Sequence, residues 1–217
     1  MMKILKKIAK KLLGYDKPPV VPNLNGDRAI EWTWIIQRLP AAKRVLDIGC
    51  CYSIISAMAA RLDNMVTGVD LNDELSYKMA NLEFVRGSIN ELSWPEPFDC
   101  VVLASTVEHI GLSGRYNSAA DEDGDLKAMV KIRSLLKPQG ELLITTPVGR
   151  DAVFSPFHRV YGPQRLPELL AGYKIMEEEY WIKKDQKNWE KCGKDEALRE
   201  NSSAVYYGLG LFRLALA

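Results

Sequence analysis

Short apolar runs alternate with stretches of helical periodicity along most of this chain. Nearly continuous apolar runs at 45–48, 65–69, 82–86, 98–104 and 141–146 predict buried strands, because a strand covered on both faces does not alternate. Apolar residues at helical spacing predict helices over 28–39, 54–62, 126–136 and 163–170, and a short helix after residue 70. We expect Asp27 and Asp125 to be the N-caps of two of them. Alternating strands and helices are typical of a parallel sheet with helices on both faces.

The two ends of the chain depart from this alternation. Residues 173–182 and 204–214 predict two further strands, separated by a charged insertion at 183–201. In residues 1–13, apolar side chains fall on one helical face and lysines largely on the other: Ile4, Leu5, Ile8 and Leu12 against Lys3, Lys6, Lys7, Lys10 and Lys11. This leader is too short and too charged to span a bilayer and lacks the apolar core of a signal peptide. Two interpretations stay open: it lies on an anionic membrane surface, or it frays or packs on a partner.

Composition supports one domain after this leader. Prolines at 18, 19 and 22 predict a stiff linker, so we expect a leader and linker at 1–22 and a single domain at 23–217. A net charge of +1 over 217 residues argues against a nucleic-acid partner. The four cysteines, at 50, 51, 100 and 192, are interpreted as reduced thiols of a cytoplasmic protein. With two histidines and no C-x-x-C pair, a metal site is not expected.

The first predicted strand leads into the most informative stretch of the sequence. Val45–Ile48 is followed by a turn of small residues from Gly49 to Ser53 and then by a helix. A strand, a tight turn and a helix form the nucleotide-binding unit of open α/β sheets. The second strand ends at Asp70, 21 residues after Gly49, where an acid can accept hydrogen bonds from both hydroxyls of a ribose.

Residues 47–53 resemble the first motif, acid-x-Gly-x-Gly-x-Gly, of the Rossmann-like methyltransferases that use S-adenosylmethionine. Cys51 and Ser53 replace the second and third glycines. Leu135-Leu136-Lys137-Pro138-x-Gly140 before a strand, and Glu108-His109-Ile110 after one, are also similar to that class. The resemblance implies a three-layer α/β fold with a seven-stranded, mostly parallel sheet whose last strand is antiparallel. It also implies S-adenosylmethionine as cofactor and S-adenosylhomocysteine as product.

A narrower resemblance comes from segments that follow in order: 108–116, 123–129, 146–149 and 158–166. Together they are similar to a little-characterised methyltransferase-like family found in nematodes and bacteria, in some cases near surface-polysaccharide genes. The resemblance covers roughly residues 25–181. It implies a small-molecule or sugar acceptor and favours a role in polysaccharide biosynthesis.

The resemblance also assigns cofactor positions. It places Asp47, Gly49 and Cys51 at the methionyl end, Asp70 at the ribose, Ser88 and Ile89 at the adenine, and Ser105 at the mouth of the site. Cys50 and Leu71 are also expected to bind the cofactor. The family usually has an acid where Ser88 stands. On the leading helix, Arg28 and Trp32 could reach the methionyl end, although a tryptophan there is also ordinary core packing.

His109 is the candidate general base, because imidazole titrates near neutrality and the residue follows a strand at the ligand side of the sheet. The alternative is that His109 only orients its loop, and Glu108 is a second candidate. His158 lies in a later loop on the same side. Arg115, Arg159 and Tyr161 could hold an anionic or sugar acceptor, or His158 and Tyr161 could anchor the loop.

The sequence therefore predicts an enzyme that moves a methyl group from S-adenosylmethionine to an oxygen of a small-molecule or glycan acceptor. Two other hypotheses stay open. The altered glycines favour a binding or scaffold protein that kept the fold and lost catalysis. A nucleotide-dependent oxidoreductase fits less well, because only Gly49 of the G-x-G-x-x-G fingerprint is present.

Overall fold

The computed structural model describes residues 26–72, 75, 77–114, 119–184 and 188–217. The predicted leader and linker at 1–22 lie outside these residues, and so does Arg115. Among the described residues, no helix combines the length and apolarity needed to cross a membrane.

An eight-stranded sheet forms the centre of the molecule. Its strands are β1 (Arg44–Ile48), β2 (Met65–Asp70), β3 (Leu82–Arg86), β4 (Phe98–Ala104), β5 (Leu136–Val148), β8 (Tyr173–Lys183), β9 (Trp189–Cys192) and β10 (Gly208–Leu216). The spatial order is β3-β2-β1-β4-β5-β10-β8-β9. Strands β1 to β5 are parallel, and β10 inserts antiparallel between β5 and β8. The predicted mostly parallel sheet with an antiparallel last strand is confirmed.

Strand β9 is an addition to the seven predicted strands. It lies inside the charged insertion and pairs antiparallel with the end of β8. Its side chains are largely exposed, and Lys191 pairs with Glu179 of β8 at 2.8 Å. A short charged strand of this kind is usual at a sheet edge, but it lacks the apolar pattern that reveals a strand in a sequence. A separate hairpin, β6 (Ala152–Phe154) and β7 (His158–Val160), was also not predicted.

Helices cover both faces of the sheet. They are α1 (Asp27–Ile36), α2 (Ile55–Arg61), α3 (Gly124–Leu135), α4 (Arg165–Leu169) and α5 (Lys194–Arg199). Successive residues of β4 show the two faces, because Val101 packs in the core cluster that contains α3, whereas Val102 packs in the cluster that contains α1 and α2. Successive strand side chains point to opposite faces, so the predicted three-layer arrangement is confirmed.

Several predicted helix boundaries were wrong. Gly26, not Asp27, is the N-cap of α1, which ends at Ile36. Asp123, not Asp125, precedes α3, and Asp125 is fully buried in its first turn. The described residues between β2 and β3 form no helix. The Asp125 carboxylate does not cap the helix, because it binds Tyr161 and Arg165 instead.

Candidate active site

A cleft of about 850 Å³ opens at the carboxyl ends of the parallel strands. This is the edge where open α/β sheets bind ligands. The segments that line it follow β1, β2, β3, β4 and β5, and the start of α1 and the loop before β10 complete it. Of the nine predicted cofactor positions and the candidate base, seven residues line this one cleft: Gly49, Asp70, Leu71, Ser88, Ile89, Ser105 and His109.

The turn after β1 requires a glycine. Gly49 has φ +83°, and a Cβ at this position would overlap the side chain of Thr106. Its N–H donates to Val69 O of β2 at 2.8 Å. The chain then continues into a 3₁₀ turn, Cys50–Tyr52, that leads to α2. Of the three motif positions, only Gly49 has a left-handed conformation. The turn therefore tolerates Cys51 and Ser53, which stand where the motif has its second and third glycines.

Asp47, Cys50 and Cys51 do not reach the cleft, contrary to the sequence prediction. All three are buried and are not among the described residues that line it. Asp47 accepts a hydrogen bond from Ser56 Oγ at 2.5 Å, and burial raises the pKa of its carboxyl to about 6. These residues are buried beneath the turn, and Asp47 connects it to the start of α2 through Ser56.

Cys50, Cys51 and Asp70 bring possible metal-ligating atoms within 4.8 Å of one another. Burial raises the pKa of the Cys50 thiol far above its ordinary value. A protonated thiol is a poor metal ligand, because the thiolate is the binding form. The Cys50 thiol would therefore have to lose its proton before it could bind a metal ion.

Asp70 connects the turn to the next wall of the cleft. Its Oδ2 accepts a hydrogen bond from Cys51 N at 2.9 Å. Its Oδ1 accepts from Asn72 N at 2.9 Å and from Asn72 Nδ2 at 2.7 Å. A carboxylate has about four acceptor sites, and these three donors occupy all but one of them. A ribose that binds through both hydroxyls must therefore displace the side-chain amide of Asn72. Ser88 and Ile89 line the cleft after β3.

A buried carboxylate organises the side of the cleft formed by α1. Glu31 is fully buried and accepts hydrogen bonds from Thr145 Oγ1 at 2.6 Å and from Ser105 Oγ. Burial raises the pKa of its carboxyl. It also pairs with Arg28 Nη1 at 3.2 Å. Arg28 lines the cleft, so Glu31 fixes the guanidinium there while it ties α1 to the ends of β4 and β5.

His109 has a defined orientation. Its Nδ1 lies 2.6 Å from Phe157 O, and a carbonyl only accepts hydrogen bonds, so Nδ1 carries the proton of the neutral ring. The basic lone pair is therefore on Nε2, which lies 3.7 Å from Glu108 Oε1. The bond to Phe157 O is compatible both with a positioned base and with a residue that anchors the β6–β7 hairpin.

Glu108 lies almost completely buried beneath His109 and contacts Thr146 Oγ1 at 3.5 Å. Burial raises the pKa of its carboxyl to about 8. Glu31 and Asp27 raise it further, and Arg28 lowers it. At neutral pH the Glu108 carboxyl is therefore mostly protonated, and it can donate a hydrogen bond.

We expect this carboxyl to make stability depend on pH. The folded-state pKa of Glu108 lies above the ordinary value of 4.5, so the folded protein binds the extra proton between these two values. Stability should therefore fall as pH rises from about 5 to 8, by at most about 1.4 kcal/mol per pH unit from this group. Urea unfolding of Glu108→Gln should lose that part of the slope, while the parts due to Glu31 and Asp47 remain. Identical slopes in the two proteins would contradict the assignment.

The predicted acceptor grip by Arg159 and Tyr161 is wrong. Arg159 is buried, and its guanidinium donates to Ile110 O at 2.6 Å, Glu122 O at 3.1 Å and Asp121 O at 3.2 Å. Tyr161 is fully buried and donates to Asp125 Oδ2 at 3.0 Å. Arg159 holds the loop beside the cleft, because that loop has backbone carbonyls that need donors. Tyr161 binds the Asp125 side chain of α3 and so anchors its own segment, which was the alternative prediction for this residue.

Of the two remaining predicted ring side chains, Trp32 packs against the core and His158 lines the cleft. Trp32 packs in the core cluster of α1 and α2 and is not among the described residues that line the cleft. His158 is buried, lines the cleft and makes an edge contact with Tyr207, with ring centroids 5.0 Å apart.

Sequence reasoning missed other residues that line the cleft, among them Asp27, Tyr52 and Tyr207. Tyr207 donates to Asp27 Oδ2 at 2.8 Å and so joins the loop before β10 to the start of α1. These two residues are 180 positions apart, and no local pattern connects them. Tyr52 lies next to the predicted Cys51, so the motif spacing could have suggested it.

Curated relatives match only part of this chain. It is 32% identical over 141 residues to a ubiquinone biosynthesis O-methyltransferase from Xanthomonas euvesicatoria pv. vesicatoria. The match covers 60% of this chain and 53% of that relative. The chain therefore spans about half the length of the curated relatives it matches.

Solved structures of low sequence identity share the fold. The N-methyltransferase NodS from Bradyrhizobium japonicum, in complex with S-adenosyl-L-homocysteine, has a TM-score of 0.63 at 18% identity and covers 93% of this chain and 92% of its own. The 1,6-didemethyltoxoflavin-N1-methyltransferase from Burkholderia thailandensis has a TM-score of 0.57 at 17% identity, with 98% and 86% covered.

A family model covers most of the domain. It is described as "Caenorhabditis protein of unknown function, DUF268", and it matches residues 55–205. This agrees with the resemblance to a nematode and bacterial family found in the sequence. The chain therefore belongs to the DUF268 family, and it has the Rossmann-like fold of S-adenosylmethionine-dependent methyltransferases.

Proposed function

We propose that this protein transfers a methyl group from S-adenosylmethionine to an oxygen of a small-molecule or glycan acceptor. The observation that carries the proposal is that one cleft contains the Gly49 turn, Asp70 and His109. Oxygen as the acceptor atom is supported by the name of the 32% identical relative, an O-methyltransferase. The glycan option rests on the sequence resemblance. A cytoplasmic location is supported by the described cysteines, none of which forms a disulfide.

The chemistry of the cleft fits the cofactor. Asp70 can accept hydrogen bonds from ribose hydroxyls once the Asn72 amide moves aside. Arg28 can bind the methionyl carboxylate, since a guanidinium suits a carboxylate. Gly49 leaves the backbone of the turn, which lines the cleft, without a side chain. When bound, the cofactor would supply a methyl group on a positively charged sulfur, which is an excellent leaving group.

The protein must then align the acceptor and take its proton. His109 Nε2 is the basic atom at the cleft, and the bond from Nδ1 to Phe157 O keeps the ring from turning. His109 Nε2 would take the proton of the acceptor hydroxyl, and the bound cofactor would supply the methyl group and leave as S-adenosylhomocysteine. Glu108 Oε1 lies 3.7 Å from Nε2, and a positive charge on the imidazole would favour ionisation of this carboxyl, because an opposite charge nearby lowers the pKa of an acid.

Cofactor binding is tested by calorimetry with S-adenosylhomocysteine. We expect Asp70→Ala to weaken binding by about 1.5–3 kcal/mol, the scale of a hydrogen bond to a charged group. The matched control is Asp195→Ala, which removes an exposed carboxylate on α5 and should leave affinity unchanged. Equal affinity in Asp70→Ala and the wild type would contradict the assignment. Binding of NAD instead of S-adenosylhomocysteine would favour an oxidoreductase, and cofactor binding without turnover of any acceptor would favour a scaffold protein.

A further inference from the structure

The cleft crosses the ends of four neighbouring strands in the order β3, β2, β1 and β4. It is lined there by Ser88 after β3, Asp70 at the end of β2, Gly49 after β1 and Ala104 at the end of β4. Arg28 of α1 lies beside the last of these positions, because its Nη1 donates to Ala104 O at 3.4 Å. Neighbouring strands are about 4.8 Å apart, so the end of β4 lies about 10 Å from the end of β2. A nucleoside held through its ribose at Asp70 and extended across Gly49 therefore directs its thioether side chain toward Arg28.

One nitrogen of the Arg28 guanidinium holds this side chain in place. Nη1 donates to Glu31 Oε2 at 3.2 Å and to Ala104 O. Glu31 is itself fixed, because it is fully buried and accepts hydrogen bonds from Ser105 Oγ and Thr145 Oγ1. Among the described residues, Nε and Nη2 of Arg28 have no hydrogen-bond partner, and no other lysine or arginine lines the cleft. The edge formed by Nε and Nη2 matches the two oxygens of a carboxylate.

Asp27 presents a carboxylate next to this guanidinium. It lines the cleft, and its Oδ1 accepts a hydrogen bond from Arg28 N at 2.9 Å. Its Oδ2 accepts from the Tyr207 hydroxyl at 2.8 Å, so the loop before β10 fixes its orientation. These two donors leave about two of the four acceptor sites of the carboxylate open. An ammonium group, with three donors and a positive charge, suits a carboxylate of this kind.

We propose that Asp27 and Arg28 form a clamp for the amino-acid head group of the cofactor, in which Asp27 accepts from the ammonium group and Arg28 donates to the carboxylate. A free α-amino acid head group carries both charges near neutral pH, and adjacent side chains of opposite charge complement them. Glu31 is a positioning residue that acts through Arg28, and Tyr207 is one that acts through Asp27. The clamp rests on the proposed cofactor and extends the site to Asp27, which the sequence resemblance did not include.

Calorimetry of the full chain with three ligands tests the clamp: S-adenosylhomocysteine, its decarboxylated analogue and its deaminated analogue. We expect Arg28→Gln to weaken binding of S-adenosylhomocysteine about 10–100-fold, the effect of losing a hydrogen bond between charged groups. The same variant should bind the decarboxylated analogue like the wild type. Asp27→Asn should weaken S-adenosylhomocysteine by a similar factor and bind the deaminated analogue like the wild type.

The positioning residues should repeat these patterns more weakly. Glu31→Gln should follow Arg28→Gln, and Tyr207→Phe should follow Asp27→Asn, each with a loss of about 3–10-fold for S-adenosylhomocysteine. A purely structural role would weaken every ligand alike. The matched controls are Arg61→Gln on α2 and Asp195→Asn on α5, which change exposed residues and should bind all ligands like the wild type.

Methylthioadenosine, which lacks the whole head group, reports on the nucleoside site of each variant, and its affinity should not change. The clamp is overturned if Arg28→Gln or Asp27→Asn binds S-adenosylhomocysteine like the wild type, or weakens methylthioadenosine by the same factor. Both side chains are partly exposed, so these two variants decide the question even where the buried Glu31→Gln does not fold. A wild type that binds S-adenosylhomocysteine no better than methylthioadenosine overturns the clamp alone. A wild type that binds neither contradicts the proposed function and the clamp together.

Discussion

Replacing His109 with glutamine is expected to lower the methyl-transfer rate by about 10²–10⁴-fold, the usual contribution of a general base. Glutamine keeps a polar side chain of similar reach, but it cannot take a proton at neutral pH. The affinity for S-adenosylhomocysteine should barely change, because the base acts on the acceptor. A screen of sugars and phenols with a radiolabelled methyl donor supplies the acceptor for the measurement.

The pH profile separates a base from a structural residue. The wild-type rate should rise with pH as the His109 imidazole loses its proton, and this rise should vanish in His109→Gln. The control is His158→Gln, which removes the other imidazole of the cleft and should retain the rise. If His109 only anchors the hairpin through Phe157 O, its variant should lose stability or cofactor affinity and keep its pH profile. A wild-type rate in His109→Gln would show that His109 is not the base. Alignment of the acceptor with the methyl group would then account for catalysis.

Replacing Asp125 with alanine is expected to lower the free energy of unfolding by about 3–5 kcal/mol, the cost of breaking a buried ion pair from one side. Asp125 is fully buried, with Arg165 Nη2 at 2.6 Å, Arg159 Nε at 3.7 Å and the Tyr161 hydroxyl at 3.0 Å. Without the carboxylate, the Arg159 charge stays buried with backbone carbonyls alone. Urea unfolding followed by circular dichroism measures the loss.

Asp123→Ala is the matched control for this network. Asp123 lies two residues away and pairs with the same Arg165 at 3.2 Å, but its side chain is 57% exposed. Exposed pairs contribute about 0–1 kcal/mol, so this variant should remain close to the wild type. Similar losses in the two variants would show that burial does not decide the strength of the network.

Local sequence was sufficient for the parts of this protein that depend on near neighbours. The apolar run of β4 predicted a buried strand because each of its residues meets a covered face, whichever way it points. Gly49 was predictable because a left-handed residue in a tight turn needs glycine. Asp70 was predictable because the 21-residue spacing from Gly49 spans one turn, one helix and one parallel strand.

Only the tertiary structure decided which side chains face the cleft and which hold it in place. Asp47 and Arg159 have the residue types of a binding site, but their side chains are buried against Ser56 and against loop carbonyls. Glu31 had no signal, since its partners Ser105 and Thr145 lie 74 and 114 positions away. Periodicity and turn chemistry act over a few residues, and they determine helices, strands and the turn. The partner of a buried polar group is chosen by the packing of distant elements, so it becomes known only when the chain is folded.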